Sequence, residues 1–170
     1  MGALFQAMLG SSKAWRLVRY EANLPCRSLC MYDLTTEAEV QETQFPAETA
    51  NPNCPKDTPL LKWSSLIHEA AANDGIDASP CGRFKGILES IGFVNIREQP
   101  LKWPIGSWAK GDREKLIGRI MVDNLLQFYR ASAMMLYTKR LGWTPEQVDE
   151  FLPAVHADIL DRSKCIYAQM

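Results

Sequence analysis

Residues 101–143 constrain this chain more than any other stretch. They open with two tryptophans in Trp103-Pro104-Ile105-Gly106-Ser107-Trp108 and close at Leu141-Gly142-Trp143. Between them Leu116, Ile117, Ile120, Met121, Leu125, Phe128 and Met135 recur near the three-and-four spacing of one helical face, with Lys115, Arg119, Asp123 and Gln127 interleaved. That spacing predicts an amphipathic helix from about Asp112 to about Arg140. At 1.5 Å per residue it is roughly 40 Å long, more than the diameter of a small domain, so a bend is expected at Arg130-Ala131-Ser132-Ala133. Its second half, residues 133–137, is apolar nearly all round and needs cover on more than one side. The rest of the chain has to pack around it.

Two flanking helices announce themselves by their starts. Thr58 followed by Pro59 reads as an N-cap with proline at the first helical position, opening a helix to about Asn73 that puts Leu60, Trp63, Ile67 and Ala70 on one face and ends at Gly75. Thr144-Pro145-Glu146-Gln147 reads as a capping box before a helix burying Val148, Phe151, Leu152, Val155 and Ile159, with a kink expected at Pro153. Ser79-Pro80 opens a further helix through Phe84, Ile87, Leu88 and Ile91 that stops at Gly92. Strands are predicted weakly at residues 39–45, by alternation at 93–98, and at 164–168. Residues 46–59 hold four prolines and read as loop, as do the aperiodic residues 24–39, whereas residues 3–22 carry a helix starting at Ser11 or Ser12 with Trp15, Leu17 and Val18 as anchors. The result is an α-rich α/β chain with too few strands for an ordinary sheet.

At 170 residues the chain is the size of one domain. Nineteen basic and 20 acidic residues, mixed along the sequence to a net charge of -1, give no nucleic-acid footprint. MGALFQAMLG lacks the charge and length of a signal peptide or membrane span, and Gln6 stands where a myristoylation signal wants Ser or Thr, so a cytoplasmic chain is expected. The five cysteines, Cys26, Cys30, Cys54, Cys81 and Cys165, are odd in number and scattered, which predicts free thiols and no metal site.

Five motifs in order, Leu61-Lys62-Trp63, Glu69-Ala70-Ala71, Glu89-Ser90-Ile91-Gly92-Phe93-Val94-Asn95-Ile96, Trp103-Pro104-Ile105-Gly106-x-Trp108 and Leu141-Gly142-Trp143-Thr144-Pro145-Glu146-Gln147-Val148, resemble the C-terminal half of the fungal SAM-dependent methyltransferases of secondary metabolism, the LaeA-like family. The likeness covers residues 39–167, and Met8-Leu9-Gly10-Ser11-Ser12-x-x-Trp15 resembles a further family segment. It implies a single truncated domain over residues 1–170, with a divergent segment 1–38 and a family-like part 39–167. The implied fold is a partial class I, Rossmann-like methyltransferase fold with a long-helix region covering the substrate. The departures matter equally. The chain has no G-x-G-x-G, so the turn that would hold the methyl donor is not found, the glycine turn that enters the fifth strand is replaced, the family's late histidine reads Cys165, and no final strand is expected after Tyr167. The cofactor expectation is therefore none, or SAM only where a partner completes the donor site.

Trp103 and Trp108, presented by a Pro-Gly turn, are candidate walls of an apolar pocket, or plugs between strand and helix. Phe128, Tyr129 and Met134 are candidate substrate-lining residues, with helix core as the simpler account. His68 is the one candidate general base, with no nucleophile or carboxylate recognisable beside it; a surface histidine is the simpler account, as it is for His156. Glu39 and Glu42 would lie near the donor in the family fold, or are solvated strand charges. Three readings follow: a methyltransferase-like protein of a fungal pathway that does not methylate alone, a SAM-independent cyclase or isomerase acting on a polyketide- or terpenoid-like substrate, and a non-catalytic docking partner of a full-length relative. The partners they imply are an apolar small molecule, a homodimer mate or a methyltransferase-like chain, with neither nucleic acid nor membrane.

Overall fold

The computed structural model describes Glu21–Ala22 and residues 40–170. The chain divides into two units, one of Thr43–Ser79 with Leu101–Met170 and one of Pro80–Pro100 with the residues up to Glu42. The larger unit holds strand β2 (Gln44–Thr49), helix α1 (Pro59–Asn73), β4 (Lys102–Pro104), α3 (Asp112–Arg140), α4 (Pro145–Leu160), a 3-10 turn (Arg162–Lys164) and β5 (Ile166–Gln169). The smaller holds β1 (Glu21–Ala22), α2 (Cys81–Ser90) and β3 (Phe93–Val94). The molecule is α-rich with small sheets in which every pairing among the described residues is antiparallel.

The three helices of the larger unit start and end where their sequence signals place them. α3 spans 29 residues without interruption through Arg130-Ala131-Ser132-Ala133, the place marked for a bend. There the Ser132 hydroxyl donates to the Phe128 and Tyr129 carbonyls at 2.9 and 3.1 Å, so the polar side chain is satisfied inside the helix. The face it buries differs from the expected one. Leu116 and Ile120 are 51% and 49% exposed, and the buried seam runs through Gly118, Leu125 and Ser132 with Ala133 and Tyr137. Small residues rotate the seam because they let neighbouring backbone come close. α4 keeps its capping box, Gln147 N–H to Thr144 Oγ1 at 3.3 Å and Thr144 N–H to Gln147 Oε1 at 2.8 Å, and runs on through the exposed Pro153.

The core forms where α1, α3 and α4 meet the sheet: Leu60, Trp63 and Ile67 pack with Leu125, Ala133 and Tyr137, with Val148, Leu152, Val155 and Ile159, and with Ile105 and Ile166. The strands correct the sequence reading. β2 lies at Gln44–Thr49 instead of residues 39–45, inside what reads as a proline loop. Pro46 is accommodated because the register slips between Gln44 and Glu48, where no ladder N–H is required. Lys102–Pro104, expected as part of a turn, is strand β4. β5 is the strand expected at residues 164–168, shifted to Ile166–Gln169 because Cys165 takes a left-handed backbone (φ 48) that an extended run cannot include. It is the central strand, with β2 and β4 both antiparallel to it.

The outer edge of β2 is already occupied. Phe45 N–H donates to Ala78 O at 3.0 Å, Ser79 Oγ donates to Phe45 O, and Ala47 N–H donates to the buried Ser64 hydroxyl at 2.6 Å. In the smaller unit, β3 pairs Phe93 with Ala22 and Val94 with Glu21, and stops at Asn95, whose φ of 59 ends the extended run predicted to reach residue 98. α2 buries none of its residues; Ile87 is 52% exposed and Ile91, just past its end, is 55% exposed. The helix predicted in residues 3–22 gives way to strand at Glu21–Ala22, and the remainder, with the loop reading of 24–39, Cys26, Cys30 and Glu39, lies outside the described residues. Cys54 and Cys165 are free thiols, and Cys81 Sγ donates to the Glu42 carbonyl at 3.6 Å.

Candidate functional site

The Trp103-to-Trp108 motif forms a turn clamped onto α3. Ile105 N–H and Trp108 Nε1–H both donate to the Ile166 carbonyl, at 2.8 and 3.0 Å, fixing the turn to β5. Gly106, in the left-handed region (φ 87), donates its N–H to Gly118 O at 3.1 Å. A Cβ on Gly118 would overlap the Gly106 carbonyl and come within 3.4 Å of Ser107 N, so only glycine permits this approach. Trp103 and Trp108 are half-buried, and Trp103 sits opposite Ala168 on β5.

Phe128, Tyr129 and Met134 lie farther along α3; Gly118 and Met134 are about 24 Å apart along the helix axis. All three are half-buried on the rim of the core. Phe128 stacks at 6.1 Å on Trp63, whose indole N–H donates to Tyr129 O at 3.2 Å, and Tyr129 faces His156 at 6.2 Å. Beneath them Tyr137, fully buried, donates its hydroxyl to Trp63 O at 2.8 Å, and burial holds its phenol far above the ordinary value. His68 is half-buried on α1 with Nδ1 buried and unpartnered, and no nucleophile or carboxylate is hydrogen-bonded to it among the described residues. The two tryptophans thus precede α3, whereas its aromatics lie from its middle onward.

Two depressions open on the larger unit, and none of the six sequence candidates lines either. One, about 320 Å³, lies over Trp143 and Phe151, with Gln147 and Glu150. The other, about 220 Å³, runs between Gly106-Ser107, the Arg119-to-Asp123 turn of α3 and the end of α4 at Ile159-Leu160, closed by Arg162. This second groove is built on the clamped turn, and it carries two guanidiniums, a carboxylate and a hydroxyl over an apolar floor.

A buried polar cluster stands behind these elements, and the sequence reading misses it. Asp158, 6% exposed, accepts the Leu60 N–H at 3.0 Å and the Thr58 hydroxyl at 2.8 Å, while Lys164 donates to Asp158 Oδ1 and, at 2.8 Å, to Thr58 Oγ1. Thr58 makes no cap bond of its own; a carboxylate from α4 takes the place at the positive end of α1. A hydrophobic-spacing argument has no access to this, because Asp158 sits next to Ile159 on the buried side of the helix.

Proteins that share sequence with this chain include the probable methyltransferase tdiE of Emericella nidulans, 24% identical over 123 residues, covering 72% of this chain and 39% of that protein. The methyltransferase pytC of Aspergillus terreus is 29% identical over 144 residues, covering 83% of this chain and 42% of that protein. The chain thus spans about two fifths of the length of these relatives. No family model and no solved structure matches it. The chain is a distant homologue of fungal methyltransferases and is methyltransferase-like in sequence. No helix among the described residues is long and apolar enough to cross a membrane, and no group of three or more His, Cys, Asp or Glu there is placed to hold a metal.

A SAM-type donor needs a glycine turn that brings backbone close and a carboxylate for the ribose. The glycine-bearing passage from β4 into α3, residues 105–111, has Gly106 packed on Gly118 and the Glu114 carboxylate against Gly111. Asp112 and Glu114 already fill the first turn, where a ligand's carboxylate would otherwise sit.

Proposed function

We propose that this chain is a methyltransferase-like protein of a fungal secondary-metabolite pathway, working in the cytoplasm, whose helices cover an apolar acceptor substrate and which does not transfer a methyl group by itself. The observation that carries the reading is the alignment over 72% and 83% of the chain to two methyltransferases, in a sequence that holds no G-x-G-x-G. The clamped Trp103-to-Trp108 turn and the long α3 supply a rigid acceptor-side surface. Titrating the folded 170-residue protein calorimetrically with SAM and S-adenosylhomocysteine should give no binding heat. A dissociation constant at or below about 100 µM, roughly -5.5 kcal/mol, would overturn the reading.

The occupied β2 edge favours a second reading, a SAM-independent cyclase or isomerase of a polyketide- or terpenoid-like intermediate. A partner chain completing the sheet there would have to displace Ala78 and Ser64, and Pro104 brings no donor to the β4 edge. Chemistry then rests on this chain's own surfaces, where holding a near-attack geometry contributes most of the effect. Conversion of a pathway intermediate by the purified protein without SAM separates this reading from docking to a full-length relative.

A further inference from the structure

We propose that the groove between the Gly106-Ser107 turn, α3 and the end of α4 binds a small monocarboxylate with an apolar body, of the size of a monocyclic aromatic acid. The proposal stands apart from the methyl-transfer reading, since carboxylate binding needs no donor. Arg119 and Arg162 line one groove, and neither forms an ion pair or hydrogen bond through its guanidinium among the described residues. Two other arginines of α3 are paired, Arg130 with Asp149 at 2.8 Å and Arg140 with Asp74 at 2.7 Å, whereas Arg113 in its first turn has no ion pair among the described residues. Two guanidiniums against a single carboxylate leave the concave surface with a positive excess that favours an anion, and their planar forks suit a carboxylate.

The groove is partly organised in advance. Asp161 accepts the Ser163 N–H at 2.9 Å and its hydroxyl at 2.6 Å, fixing the turn that carries Arg162. The Arg162 stem runs beside Gly106, where an added Cβ would stand 3.8 Å from Arg162 Cγ. Ser107, on the clamped turn, places a hydroxyl at the same wall. The floor is apolar, from Val122 and the buried Ile159, and Leu160 at the rim is 52% exposed. An apolar body beside the carboxylate would cover that surface. About 220 Å³ is below the roughly 300–1,000 Å³ of drug-sized sites, which limits the occupant to a small molecule.

Asp123 also lines the groove, four residues beyond Arg119, and bonds to neither arginine. Its carboxylate leaves the lining at a formal charge of +1, so a preference for a carboxylate with an apolar body over phosphate rests on the apolar floor, which phosphate does not cover.

The test titrates the purified 170-residue protein with benzoate, with its neutral isostere benzamide and with inorganic phosphate, following backbone amide shifts by NMR. Benzoate should saturate, with shifts clustered at residues 106–107, 119–123 and 160–162. Benzamide should bind weaker by about tenfold or more, as should benzoate to R119Q and to R162Q. The altered side chains are exposed, and circular dichroism checks that each variant keeps the wild-type fold. Absence of saturable shifts in the groove, equal binding of benzoate and benzamide, unchanged affinity in both arginine variants, or phosphate binding as tight as benzoate in the wild type would each overturn the proposal.

Discussion

At Gly118 the place of a side chain is taken by another segment's backbone. An added methyl would meet the Gly106 carbonyl, and because Gly106 and Trp108 are both tied down, the turn cannot retreat without losing bonds to Gly118 and Ile166. Gly118→Ala should therefore destabilise the protein by about 2–3 kcal/mol in denaturant titration and weaken the groove beside it. Asp158 is the second position of this kind. Asp158→Ala strands the Leu60 N–H in a buried setting and takes the carboxylate from the half-buried Lys164, and a loss of about 3 kcal/mol is expected. Neither position was legible in the sequence. A glycine inside a helix carries no mark of what will press on it, and an aspartate beside Ile159 reads as a solvated charge until the third helix is in view. Arg119 and Asp123 were read only as the polar residues that interrupt an apolar face. Trp108 was legible in kind, as an indole presented by a turn, whereas its bond to Ile166 was not.

Helices were legible at their ends because capping is local chemistry. Thr144, Pro145 and Gln147 specify the start of α4 within four residues, and the structure forms both bonds of the box. Thr144→Ala should cost about 1 kcal/mol, read as a lowered denaturation midpoint with unchanged slope. The Thr58-Pro59 signal also marks its helix start, but the group that caps α1 comes from Asp158, so the same reading yielded the right boundary with a different donor-acceptor scheme. Strands were far less legible. β2 contains Pro46 and takes its partners from residues more than 100 positions away, so no window of a few residues shows its alternation. The apolar face of α3 was misassigned near its start because Leu116 and Ile120 satisfy helical spacing as well as the buried seam does.

Two tyrosines join the pieces of the larger unit, and they set its response to alkali. Tyr137 links α3 to α1, and Tyr167 links β5 to β2 by donating to Glu48 Oε2 at 2.5 Å. Burial raises the Tyr137 phenol, and the hydrogen bond to Glu48, with burial adding to it, raises that of Tyr167, both above the ordinary 10.0. The unfolded chain loses these protons near pH 10 and the folded one later, so their contribution is fully present below pH 10 and is lost as pH rises through the folded values. An ultraviolet phenolate titration should show Tyr137 ionising only with unfolding and Tyr167 ionising later than an ordinary tyrosine, and ionisation of Tyr137 in a still-folded protein would contradict this. The order of strands has a further consequence for synthesis. β5 is the centre of its sheet yet is the last of these elements to leave the ribosome, so β2 must wait for it while about 120 residues are made. At about 5–20 residues per second, that interval is on the order of ten seconds. During it the Ala78 and Ser64 bonds that close the outer edge of β2 can form first, shielding one side of a nascent strand whose other side is still open to passing chains.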